Sequence, residues 1–160
     1  YAKKYISKKK LATLNIEIEL DVLEALCIAA KGLDQIELKI RSHPSVKLEN
    51  HPQFWRWSDQ VTSSTGSLEE DLDSCSLVIY SYSTVAEEAI LQGLPAWQWM
   101  PKGLNGSALS EIENIPRFTS VSALRKALKL FQKQPLTYSP SKELQKKVET
   151  ELFFLLMVAQ

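Results

Sequence analysis

Leu77-Val78-Ile79-Tyr80-Ser81-Tyr82-Ser83-Thr84-Val85-Ala86-Glu87-Glu88-Ala89-Ile90-Leu91-Gln92-Gly93-Leu94-Pro95 decides how the chain is read. Its opening run is nearly all apolar, as expected for the buried middle strand of a parallel sheet. Ser81-Tyr82-Ser83-Thr84 is then a polar loop. Residues 85–92 return to a helical period, with Ala86, Ala89 and Ile90 on one face. Gly93 closes that helix, and Pro95 stands just before a second apolar run at 96–99. A strand, a polar loop, a helix and another strand in close succession form a parallel crossover.

The same alternation extends in both directions. Upstream, Ser67-Leu68-Glu69-Glu70 fits a capping box, opening a helix that ends near Ser74 or Cys75. Residues 60–62 read as a short strand. Residues 45–58 form an irregular, aromatic-rich connection carrying Phe54, Trp55 and Trp57. Ile36, Leu38 and Ile40 alternate with Glu37 and Lys39, which is a strand running into Arg41-Ser42-His43-Pro44. Residues 21–31 form a helix with Val22, Leu23, Leu26, Ala29 and Ala30 on one face, stopped by Gly32. Residues 11–15 read as a first strand. Downstream, residues 101–116 form a long loop with Gly103 and Gly106, followed by a short strand near Phe118. A helix over 122–132 aligns Leu124, Leu128 and Phe131. Residues 134–141 are a linker with Pro135 and Pro140, and 141–158 a last helix. The order predicts an α/β fold of three layers, a parallel sheet with helices on both faces. Its domain spans 1–133, with 134–160 a linker and C-terminal helix.

Length and composition narrow the class. A chain of 160 residues, 44% hydrophobic and 24% charged, fits one ordinary globular domain. Nineteen basic and nineteen acidic residues cancel, which argues against a nucleic-acid partner. Cys27 and Cys75 lie in apolar stretches and read as buried free thiols in a reducing cytoplasm. No Cys/His cluster suggests zinc. The apolar run at 152–159 falls far short of the ~20 residues that span a bilayer. It reads as a buried helix, an interface, or the point where a longer chain was cut. Five lysines fall in the first ten residues without an apolar segment after them, so no signal peptide is expected. This basic start is a solvated face, or a flank that attaches the protein peripherally to the inner face of an anionic membrane. The start at Tyr1 without an initiator Met is expected of a fragment of a larger protein.

Ligands of open α/β sheets lie outside the carboxyl ends of the strands. Two polar loops fall there: Arg41-Ser42-His43-Pro44 and Ser81-Tyr82-Ser83-Thr84. Ser83 or Thr84 begins a helix whose free amides suit a phosphate. Arg41 suits a bidentate phosphate pair, and His43 a hydrogen bond to phosphate or leaving group. Each has a plainer reading. Thr84-Val85-Ala86-Glu87 is itself a capping box. His43 before Pro44 fits a turn, and Glu87 and Glu88 fit a solvated face with a cap. Trp55, Trp57, Trp97 and Trp99 fit core and edge packing. Asp71 and Asp73 have Asp-x-Asp spacing but lie on an acidic helix, which makes them solvated.

Residues 11–132 resemble the C-terminal, donor-binding domain of GT-B glycosyltransferases. The stretch from Leu77 to Pro95 looks like that family's strand, hydroxyl-rich loop, Glu-Ala-x-x-x-Gly-x-Pro helix and next strand. Residues 36–44 are similar to strands that end in Arg/Lys-x-His-Pro. Paired His-Pro and Ser/Thr motifs are shared by bacterial sialyltransferases, capsule Kdo transferases and CDP-glycerol-type polymerases, which use cytidine nucleotides. Residues 15–20 resemble the acidic turn after the first strand of surface-carbohydrate biosynthesis proteins. The resemblance implies a Rossmann-like fold and a nucleotide-activated sugar donor. It also implies a glycan or lipid-linked acceptor, and an N-terminal acceptor domain absent from this chain that supplies the general base. His43 would contact the nucleotide and act in catalysis. Ser83 and Thr84, with Ser81 nearby, would hold phosphate, and Glu87 or Glu88 would reach the ribose. Neither a cofactor nor a metal is implied. Two rival readings are a nucleotide-sugar epimerase of the same architecture and a non-catalytic interaction module docked through residues 152–158.

Overall fold

The computed structural model describes residues 8–42, 47–101, 107 and 109–158. The chain is mixed α/β, with two small parallel sheets, and divides into two compact units, residues 1–65 and 66–160.

The first unit opens with helix α1, Lys8–Ala30. Residues 11–15 are therefore helical, and so are 15–20: neither the expected first strand nor the turn after it forms. The physical reason lies in what the segment lacks. No glycine or proline precedes Gly32, so nothing interrupts the helix between the supposed strand and Asp21. Ile16, Leu20, Leu23 and Cys27 follow one helical stripe and pack with Leu48 and Phe54. Leu23 and Ala29 are buried as expected, whereas Val22, Leu26 and Ala30 are half-buried. The Cys27 thiol is free and buried. Burial, with Asp59 adding to it, pushes its pKa up to about 11. Gly32 takes a left-handed φ of 68° as the helix stops.

Strand β1 (Leu38–Ile40) pairs in parallel with β2 (Val61–Ser63), Leu38 opposite Val61 and Ile40 opposite Ser63. Two single-turn 3-10 helices, Leu48–Asn50 and Phe54–Arg56, lie on the connection and bury Leu48 and Phe54. Trp57 is half-buried in that core, while Trp55 remains 65% exposed.

The second unit begins with α2, Leu68–Ser74, on a complete capping box. Glu70 N donates to Ser67 Oγ at 3.1 Å, and Ser67 N donates to Glu70 Oε2 at 2.7 Å. Asp73 is exposed, but Asp71 is buried beside Leu72. That corrects the reading of Asp71 as solvated: its position on the helix points it inward. Strands β3 (Val78–Tyr80), β4 (Ala96–Trp99) and β5 (Arg117–Phe118) make a parallel sheet in that order. The middle strand is β4, buried throughout, whereas Val78 and Ile79 of β3 are half-buried.

Helix α3, Val85–Leu91, lies between β3 and β4 and buries Ala86, Ala89 and Ile90. Its C-terminus is closed with Gly93 at φ 84°. Leu94 N donates to Ala89 O at 2.8 Å and Gly93 N to Ile90 O at 3.0 Å, the two bonds of a Schellman motif. Gln145 of α5 (Lys142–Val158) donates to the Ile90 and Leu91 carbonyls, at 3.0 and 3.3 Å. Both carbonyls belong to the last turn, where no amide four residues on takes them up, and Ile90 O accepts from Gly93 N as well. Leu144 and Val148 of α5 share a core with Tyr80, Ile90, Ala96 and Ile112. Helix α4, Val121–Lys133, buries Leu124 and Leu128. Its Phe131 meets Trp97 edge-on, with ring centroids 5.6 Å apart. A 3-10 turn over Pro135–Tyr138 precedes α5, and Tyr138 packs on the same indole at 5.3 Å. Among the described residues no helix is long and apolar enough to cross a membrane.

Candidate functional site

The polar groups of the second unit gather at the C-terminal end of β3. Parallel pairing sets Tyr80 opposite Gln98, and Gln98 opposite Arg117. The three side chains therefore share one level and one face of the sheet. A glutamine in a fully buried strand has to find partners for both ends of its amide. Gln98 Nε2 donates to the Ser81 carbonyl at 3.0 Å, and its Oε1 accepts from Arg117 Nε at 3.1 Å. Arg117 Nη2 donates to the carbonyls of Leu109, Ser110 and Ile112, at 2.9, 3.1 and 2.7 Å.

Above this row, Tyr80 is 3% exposed and its hydroxyl has no hydrogen-bond partner among the described residues. Burial pushes the phenol pKa up, Ser107 and Arg117 draw it down, and Glu87 adds to the rise. The Ser107 hydroxyl thus acts on the phenol at close range, although the pair misses ordinary hydrogen-bond geometry. Ser107 is itself buried and accepts from Leu109 N at 3.1 Å.

The expected site residues take different positions. Ser81 is 7% exposed, and its hydroxyl also lacks a partner among the described residues. Ser83 and Thr84 are exposed. Thr84 has helical backbone angles, φ −70° and ψ −10°, and its side chain makes no cap bond. Ser83 Oγ instead accepts from Val85 N at 3.2 Å. The capping box read at 84–87 is therefore absent, because a side chain caps from an extended backbone and Thr84 has already turned into the helix. Glu87, released from that duty, is 5% exposed. Burial raises its carboxyl pKa, and Glu88 next to it adds to the rise. It is no solvated residue, whereas Glu88 is exposed.

Arg41 belongs to the first unit, exposed after β1, and donates to Ser64 Oγ at 3.2 Å. His43 lies outside the described residues, as do Gly103 and Gly106. The structure thus gathers Gln98, Arg117, Ser107 and Glu87 about Tyr80, with Ser81 next in the chain and bonded to Gln98 through its carbonyl. Of these, sequence reasoning missed Tyr80, Ser107, Gln98 and Arg117. One signal was present for Gln98, a lone amide between two tryptophans in a strand otherwise apolar. Among the described residues no three His, Cys, Asp or Glu side chains are grouped to hold a metal ion.

Buried hydroxyls with open valences and a buried carboxyl whose pKa is raised suit a ligand rich in hydroxyl or phosphate oxygens. No family profile, curated protein or solved structure matches the chain. The class is accordingly defined by fold and site alone: an α/β chain with a polar cluster at the carboxyl edge of a parallel sheet.

Proposed function

We propose that the chain is the nucleotide-donor-binding half of a glycosyltransferase for surface polysaccharides, with the Rossmann-like three-layer architecture of a GT-B C-terminal domain. The observation that carries this reading is the buried Ser81 hydroxyl at the carboxyl end of β3, which has no partner among the described residues; Glu87 of the helix that follows is buried as well. Open α/β sheets bind ligands at that edge. Two contacts support the layering. Ala96 shares a core with α3 and α5 residues, while its neighbour Trp97, on the opposite side of the strand, meets Phe131 of α4.

In this reading Ser81, Ser83 and Thr84 take the donor phosphates and Glu87 a donor hydroxyl. The acceptor and the general base belong to another domain. Calorimetric titration of the chain with CMP, CDP, UDP and GDP tests the reading. Saturable binding of one of them, strongest for a cytidine nucleotide and weakened by Ser81→Ala and Glu87→Gln, is expected. No heat from any of the four at millimolar concentration would remove it.

A further inference from the structure

Arg117 spends its hydrogen bonds on neutral oxygens. Its Nε donates to Gln98 Oε1, and its Nη2 to three carbonyls of the loop after β4, those of Leu109, Ser110 and Ile112. Gln98 passes the connection on, donating Nε2 to the Ser81 carbonyl. The direction of this chain is fixed by chemistry. A guanidinium only donates, so the amide must turn its oxygen to Arg117 and its nitrogen to Ser81. The planar fork lets one arginine hold β4 and the loop together, which a lysine ammonium does less well.

Each end of the chain carries a hydroxyl of the cluster. Ser81 follows β3, and its hydroxyl, like that of Tyr80, has no partner among the described residues. The loop held by Arg117 starts beside Ser107, whose hydroxyl acts on the Tyr80 phenol. Gln98 is 0% exposed, so it touches a ligand only through what it positions.

We propose that Gln98 and Arg117 are positioning residues of the ligand site, setting the separation of the loop at Ser81 from the loop at 107–112. The inference rests on the donor-binding reading above. It requires that each link affect binding separately from stability.

Two variants separate the links. Arg117→Lys keeps the charge and loses the fork. Gln98→Glu keeps the acceptor for Arg117 and removes the donor to Ser81. CDP affinity, melting temperature and amide chemical shifts are measured for both and for the wild-type chain. Gln98→Glu is expected to move the amide shifts of residues 81–85 while those of 109–112 hold. Arg117→Lys is expected to move both sets. Each should weaken CDP binding roughly tenfold, the scale of one lost hydrogen bond. Variants that bind CDP as the wild type does, with or without a lower melting temperature, would overturn the positioning role and leave the donor-binding reading standing. A wild-type chain that binds no nucleotide would bring down both.

Discussion

Helices α2 and α3 are the same length, seven residues each, and both open on a capping-box sequence, Ser67-Leu68-Glu69-Glu70 and Thr84-Val85-Ala86-Glu87. Only the first box closes. Ser67 stays extended and trades bonds with Glu70, while Thr84 folds into the helix and leaves Glu87 free to turn inward. The helices are consequently tied down at opposite ends. Helix α2 is held at its N-terminus and ends in an extended Cys75. Helix α3 is held at its C-terminus by the Schellman motif at Gly93 and by Gln145. At its N-terminal side Ser83 Oγ accepts from Val85 N, while Thr84 makes no cap bond and the buried Ser81 hydroxyl has no partner among the described residues. A buried polar group left without a local bond points to a site serving something else.

Removing each anchor tests this contrast, and the largest effect is expected at the C-terminus of α3. Gly93→Ala forces a side chain into the left-handed region and should cost about 1–2 kcal/mol in denaturant unfolding. A Cβ there would meet only Gln145 Nε2, at 3.8 Å, so the cost is conformational and not steric. Ser67→Ala removes the working cap of α2 and should cost about 1 kcal/mol. Thr84→Ala removes a hydroxyl that caps nothing and should stay within about 0.5 kcal/mol of wild type. If the Ser67 and Thr84 variants lose equal stability, the two boxes are equivalent and the contrast fails. The same pair should part again in calorimetry with nucleotide, Thr84→Ala binding more weakly and Ser67→Ala unchanged.

The smallest effect concerns pH. Folding raises the Glu87 pKa through burial, so the folded chain keeps this proton to higher pH than the unfolded chain does. The stability linked to it is fully present below the ordinary glutamate range and is lost as pH rises through the raised value. Glu87→Gln should therefore gain on the wild type in thermal unfolding as pH rises above the ordinary glutamate range. Parallel curves for the two proteins would mean that the carboxyl titrates as if exposed.

Much of the element order was legible, because periodicity and punctuation agreed. Gly32, Gly93 and the serine cap at 67 mark real boundaries. At residues 11–15 no glycine or proline separated the supposed strand from the helix beyond it, and a short apolar run without a break does not distinguish strand from helix. The site was legible in position more than in membership. The hydroxyls after β3 stood out as a polar loop between apolar runs. Gln98 and Arg117 did not, since their importance depends on the register that aligns Tyr80, Gln98 and Arg117 across three strands, and register is absent from a local pattern. Glu87 was named through the resemblance, but its burial was hidden: its sequence neighbours describe a cap, and only the backbone angles of Thr84 show that the cap is unused.

The most direct test of a donor site at the carboxyl edge of β3 is an amide chemical-shift titration of this chain with CMP, CDP, UDP and GDP. The account predicts saturable shifts concentrated at residues 81–88 and 107–112, largest with a cytidine nucleotide, with residues 68–74 of α2 unmoved. Shifts confined to other residues, or none at millimolar nucleotide, would contradict it.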